Sequence, residues 1–157
     1  MNIYLKGKVA EHFTQSEYNM DESTTAYITA DSIIFIVCLE EFRKWLKKPM
    51  YVTSWYRADA VNKKVGGIST SNHLSGCAMD WYAKGIDYRA KFIPYVKKWN
   101  EICRKHGKIP EAGLYTWGFH FGIQNETQAA LNRNKLVHWD SRTGTQINNP
   151  FRELNQL

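Results

Sequence analysis

Ser71-Asn72-His73-Leu74-Ser75-Gly76-Cys77-Ala78-Met79-Asp80 sets an imidazole and a carboxylate seven residues apart across a glycine, with the small Ala78 close to the acid. Gly76 marks a turn, and Cys77 to Tyr82 beyond it reads as a buried strand, so the histidine falls on a loop and the aspartate on a strand. Nitrogen and oxygen donors of this kind suit zinc, whose catalytic sites use three protein ligands and leave a position for water or substrate. His73 and Asp80 are candidates for two of the three. An isolated pair with this spacing is more often a turn-capping histidine and a hydrogen-bonded acid, so the surrounding sequence has to decide.

Upstream, Thr14 followed three residues later by Glu17 has the form of a capping box and starts a short helix. Apolar residues at Ile33, Ile34, Val37, Cys38, Phe42, Trp45 and Leu46 recur at helical spacing from Asp31 to Lys48, where Pro49 ends the run. Met50 to Trp55 is rich in aromatic and β-branched residues and reads as a strand, followed by a polar helix from Ala58 to Val65 that stops at Gly66-Gly67. Downstream, Asp87 to His106 is a second long helix that turns Phe92, Val96, Trp99 and Ile102 inward, with Pro94 in an early turn or at a kink and Gly107 as its stop. Ala112 to Ile123 and Leu136 to Asp140 are β-like, and with the polar segment Gln124 to Lys135 between them they read as a hairpin with a long tip. These elements predict an α+β domain with an antiparallel sheet.

The chain has 157 residues, 43% hydrophobic and 23% charged, which is enough for one globular domain over residues 1–157 and argues against disorder. Lysine and arginine exceed aspartate and glutamate by 21 to 15, a formal +6, so an anionic partner is favoured without being named. Three cysteines, Cys38, Cys77 and Cys103, lack C-x-x-C spacing and signal neither a disulfide framework nor a thiolate metal site. The longest apolar stretch, Ile33 to Leu39, is too short to span a bilayer, and no basic segment with a long apolar run opens the chain. Cytoplasmic synthesis without a signal peptide and no membrane insertion are therefore expected.

The Ser71 to Asp80 segment resembles the S-x-H-x-x-G-x-A-x-D motif of the zinc D,D-peptidase family, which includes D-alanyl-D-alanine carboxypeptidases and the L-alanyl-D-glutamate endopeptidases used as phage endolysins. Thr53-Ser54-Trp55-Tyr56-Arg57, followed by Asn62, Val65, Gly66 and Gly67, is similar to that family's S-x-x-R and N-x-x-V-G-G segment. The resemblance implies the small helix-flanked antiparallel sheet shared by Hedgehog and D,D-peptidases, zinc bound by His73 and Asp80, and a substrate contact from Arg57, whose planar cationic fork suits a carboxylate or carbonyl. Against that stands the plainer role of an arginine paired with an acid. Ser71 and Tyr115 join Arg57 as substrate-side residues, and Trp117 as a further candidate for the cleft wall.

Two histidines compete for the third ligand. Gly113-Leu114-Tyr115-Thr116-Trp117-Gly118-Phe119-His120 looks like the family's G-x-Y turn and strand histidine, whereas Leu136-Val137-His138-Trp139-Asp140-Ser141-Arg142 looks like its F-V-H-V-D-T-R ending. Spacing favours His120 and local identity favours His138. A hairpin would bring both together across two strands, so the reading assigns His120 to the metal and His138 beside it. Many relatives carry a proton-transfer acid in the form E-x-W-H, but here Trp117 and Lys135 occupy those places. His138 and Asp140 are the catalytic candidates, with pairing to Arg142 the alternative for Asp140.

The resemblance thus implies a zinc peptidase cutting peptidoglycan stem peptides, with zinc polarising the scissile carbonyl and activating water. A monomeric lysin of phage or prophage origin, released to the cell wall by a holin, is the expectation for its setting. A non-catalytic peptidoglycan-binding relative, such as a virion component, is the rival that the missing acid suggests. A nucleic-acid binder would rest on charge and aromatics alone, and no nucleic-acid partner is expected.

Overall fold

The computed structural model describes residues 7–23 and 26–157. Thr14 caps α1 (Gln15–Tyr18) through the expected box: its hydroxyl accepts from Glu17 N at 3.3 Å, and Glu17 Oε2 accepts from Thr14 N at 2.7 Å. A second box, formed by Thr29 and Ser32, opens α2 (Ala30–Leu46), and Lys47 closes it in the left-handed conformation. After Pro49 come β1 (Tyr51–Ser54) and α3 (Asp59–Lys64). A 3-10 turn (Asn72–Ser75) leads into β2 (Ala78–Tyr82), and Asp87 caps α4 (Tyr88–Lys105), which contains Pro94. The chain continues through β3 (Pro110–Leu114), β4 (Phe119–Ile123), α5 (Glu126–Leu131), β5 (Val137–Asp140), β6 (Ile147–Asn148) and a 3-10 turn (Arg152–Leu154).

The fold is α+β, with a six-stranded sheet in the order β1-β2-β4-β3-β5-β6 flanked by helices. Its pairings are antiparallel except β3 with β5, which run parallel. This corrects the expected hairpin. The partner of β4 is β3, and the presumed tip folds as α5, so that β5 returns on the far side of β3 rather than against β4. The capping box that starts α5, Asn125 with Gln128, was present in the sequence as the signal for that helix.

Alternation along the strands divides the sheet into two faces. Met79 and Trp81 of β2, Phe119 and Phe121 of β4, and Ala112 and Leu114 of β3 are buried under α2 and α4. Trp99 of α4 stacks on Phe121 at 4.9 Å between ring centres and donates its indole N–H to Gly122 O. Phe42 of α2 meets the same Phe121 edge-on at 5.0 Å. The buried residues of α2 are Ser32, Phe35, Ile36, Cys38, Leu39, Phe42 and Leu46, whereas Ile33, Val37 and Trp45 of the expected set are exposed. The helix is apolar on more than one side, and the aromatic side is the one that faces the sheet. On α4 the expected Phe92, Val96, Trp99 and Ile102 are all buried.

Asp80, His120 and Gly122, then Glu111 and Gly113 of β3, and Trp139 of β5 share the opposite face through their register. No helix among the described residues is long and apolar enough to cross a membrane.

Candidate metal centre

Asp80 lies directly across from His120 in the β2–β4 register, so two strands carry the acid and one imidazole to the same spot. His73 arrives from the 3-10 turn before β2. Ser71 caps that turn, its hydroxyl accepting from His73 N at 3.4 Å. Gly76 ends it with φ of +70°, and a side chain there would run into the Tyr18 ring, which is why this position requires glycine. The turn thus drops His73 over β2. His73, Asp80 and His120 are all buried, and one donor atom from each lies within 4.8 Å of the other two.

Hydrogen bonds fix how each donor is presented. His73 Nδ1 is 2.7 Å from Trp55 O, and since a carbonyl only accepts, Nδ1 carries the proton and Nε2 keeps its lone pair, 3.4 Å from Asp80 Oδ2. Burial, above all, lowers the His73 pKa and keeps the ring neutral. His120 is the reverse. Its Nδ1 sits 2.8 Å from Asp80 Oδ1 and its Nε2 3.0 Å from Glu111 Oε1. Burial opposes its charge, but hydrogen bonds to the two carboxylates outweigh burial and push its pKa up to about 9. For Asp80 burial also acts against the charged form, and the charge and hydrogen bonds of His73 and His120 overcome it, holding the carboxyl well below the usual carboxylate range. The fork of Arg57 completes the set, with one Nη 2.6 Å from Asp80 Oδ2 and Nε 2.7 Å from Ser54 Oγ.

Glu111 is the residue that sequence reasoning missed. An E-x-W-H acid would stand three positions before the histidine on its own strand, whereas this carboxylate reaches His120 from β3, across the β3–β4 turn. Glu111 pairs with Gly122 in the register, and a side chain at Gly122 would collide with the Glu111 carboxylate. Gly113 likewise leaves room for the Trp139 ring, whose centre is 4.8 Å from that of His120. Those two glycines were the available signal: bare positions flanking the histidine on one face.

The structure does not bring His138 or Asp140 to this group: the expectation that His138 lies beside it is corrected, and Asp140 takes the alternative role of a partner to Arg142. In the parallel β3–β5 register Trp139 is level with Gly113 and His138 with Ala112, so His138 points to the helix side. It is fully buried there, with Nε2 2.9 Å from Asn155 Oδ1, and burial lowers its pKa. Asp140 is clasped by Arg142 at 2.6 Å, and that hydrogen bond, more than any other influence, lowers its pKa.

A cleft of about 440 Å³ opens over the buried group, walled by Arg57, Ser71, Glu111, Tyr115 and Trp139 and by the Val65 to Ile68 loop. Burial, followed by the charge of Asp80, keeps the Tyr115 phenol protonated well above its ordinary range. Trp117 stacks on Tyr115 at 4.9 Å.

A family profile covers part of this site. The Peptidase M15 profile matches residues 11–107, well over half of the chain, and takes in Arg57, His73 and Asp80. The chain belongs to the Peptidase M15 family. This is the family of zinc D,D-peptidases that the motifs resemble, and its zinc dependence agrees with a donor set of two histidines and one aspartate. The M15 match ends before β3, so His120 and Glu111 enter on geometry alone. A comparison with curated proteins finds no match.

Proposed function

We propose that the chain is a zinc-dependent peptidase that hydrolyses peptide bonds in the stem peptides of bacterial peptidoglycan. The observation that carries this reading is the convergence of His73, Asp80 and His120 at the floor of a cleft, with Arg57 and Glu111 at their sides. The donor set fits zinc: two imidazoles and a carboxylate, buried together, one imidazole already holding a lone pair inward. When bound, zinc supplies a Lewis acid for the scissile carbonyl and makes water a nucleophile near neutral pH.

The chain's own residues supply the rest. Arg57 holds Asp80 in place and faces the cleft, where its remaining donors meet a substrate carbonyl or carboxylate. Glu111 accepts from His120 Nε2, which orients the ring, and its carboxylate at the cleft wall is the proton carrier between attacking water and leaving amine. Tyr115, kept protonated, offers its hydroxyl to the substrate. With Glu111 in this place, the missing E-x-W-H acid no longer argues for a non-catalytic relative. Stem peptides are the substrate class that the family resemblance implies, and the net charge of +6 favours approach to an anionic wall.

Digestion of purified peptidoglycan by the zinc-loaded protein, read by mass spectrometry of released fragments against a chelated control, tests the proposal. Metal-dependent release of peptides is expected and identifies the bond. Stoichiometric zinc with intact peptidoglycan would overturn it.

A further inference from the structure

The pattern S-x-x-R, filled here by Ser54 to Arg57, leaves position 55 unspecified, and the chain places a tryptophan there. Trp55 is wholly buried, yet its carbonyl and its indole N–H both reach the turn that carries His73. The carbonyl accepts from His73 Nδ1 at 2.7 Å, and the indole donates to Gly76 O at 3.0 Å. One residue therefore grips the turn twice, at the imidazole and at the capping glycine that ends it. An indole N–H donates and cannot accept, so a buried carbonyl is the partner that suits it.

The ring that makes the second hold is itself fixed. Phe13 and Tyr18 meet it edge-on at 5.4 Å each, and Phe35 of α2 does so at 6.1 Å. Aromatic contacts of this kind set a ring's orientation as well as its depth. Packing around α1 and α2 is thus transmitted through the indole to the His73 turn. Two residues further on, Arg57 N donates to His73 O at 3.0 Å while the Arg57 side chain holds Asp80. The segment 55–57 fixes His73 at ring and backbone and Asp80 at its carboxylate, and none of these bonds involves a metal.

Every residue has a carbonyl to offer His73, so the first hold asks nothing of the side chain at 55. The second hold does. Phenylalanine would fill most of the same apolar space and leave Gly76 O without the indole donor. The far end of the turn would then be free to shift, and the His73 ring with it. In a metal-ligating histidine the partner of one ring nitrogen decides which way the other faces, so a loosened turn loses its hold on the tautomer.

We propose that Trp55 is a positioning residue whose indole, by anchoring Gly76, keeps His73 Nδ1 on the Trp55 carbonyl and its Nε2 turned towards Asp80 and His120 before any metal arrives. This rests on the metal reading of that group. The test compares wild type, Trp55→Phe and Phe92→Leu, the last a cut in the core between Phe119 and Phe151. Nitrogen-15 NMR of the metal-free proteins reads the His73 tautomer, chelator competition reads zinc affinity, and melting temperature is measured alongside. Wild type is expected to hold its proton on Nδ1, with a Trp55 indole proton that exchanges far more slowly than that of the exposed Trp117. Trp55→Phe should mix the tautomers and weaken zinc binding about tenfold, whereas Phe92→Leu should lower the melting temperature and leave both readings alone. Unchanged tautomer and affinity in Trp55→Phe, or the same changes in Phe92→Leu, would overturn the proposal. If Trp55→Phe does not fold, wild type decides: a proton on His73 Nε2, or fast exchange of the Trp55 indole, sinks the idea. A wild type that shows the Nδ1 tautomer and slow exchange but takes up no zinc would uphold the clamp while removing the metal reading.

Discussion

Loading the metal-free protein with zinc at pH 7 should expel about one proton per ion, and the structure says which. His73 holds no proton at Nε2, because Nδ1 donates to Trp55 O and burial keeps the ring neutral. Asp80 is ionised far below pH 7. His120, between Asp80 and Glu111, has its pKa pushed up to about 9 and is an imidazolium at pH 7. The nitrogen facing Asp80 must shed its proton before it can bind a metal. Apparent affinity should then rise about tenfold per pH unit from pH 7 towards pH 9 and level off above, a total of about 100-fold or about 3 kcal/mol. Titration calorimetry in two buffers of different ionisation enthalpy reads the proton count directly. Equal heats in both buffers, with affinity flat from pH 7 to 9, would refute the reasoning. Stability carries the matching sign. The folded pKa of His120 lies above its ordinary 6.5, so its contribution is fully present below about 6.5 and is lost as pH rises through about 9. The melting temperature of the metal-free protein should fall over that window.

Glu111→Gln should keep the fold and cut peptide release by about 10²- to 10⁴-fold, the usual worth of a general acid–base group, as read by fragment yield at equal zinc content. It should also shed less proton on metal loading, because one of the two charges that hold the His120 proton is gone. Gly122→Ala should lower activity with little change in zinc affinity, since the added methyl meets the Glu111 carboxylate rather than a donor atom of the triad. His138→Ala should leave zinc stoichiometry and activity per folded molecule intact while destabilising the fold by about 1–3 kcal/mol through a cavity and an unpaired Asn155, measured by denaturant unfolding.

What the sequence made legible follows from how local each signal was. Caps are local: Thr14 with Glu17 and Gly76 in its turn act within a few residues, and both fall where expected. Long amphipathic runs are nearly as local, so α2 and α4 were found to within two residues. The stripe of α2 was not, because Ile33 and Val37 are as apolar as Phe35 and Leu39, and only the presence of the sheet distinguishes them. His73 and Asp80 share one loop-strand unit and could be read together. Glu111 could not, because its relation to His120 exists only through the β3–β4 pairing.

His138 shows how sharply that dependence cuts. Its neighbours Val137 and Trp139 line the cleft, so a shift of β5 by one residue against β3 would carry the imidazole to the site and bury Trp139 under α4. Two features oppose the shift. Gly113 is the gap into which the Trp139 ring fits, and a ring of that size has no comparable gap under the helices, where Phe92 and Phe151 already pack at 4.9 Å. On the helix side His138 is held by Asn155 through Nε2 and by Asn149, whose Oδ1 accepts from His138 N at 3.1 Å. The local sequence around His138 resembles a ligand strand, yet register is decided by the bulkiest side chain and the bare position opposite it, and both assign the metal side of β5 to the tryptophan.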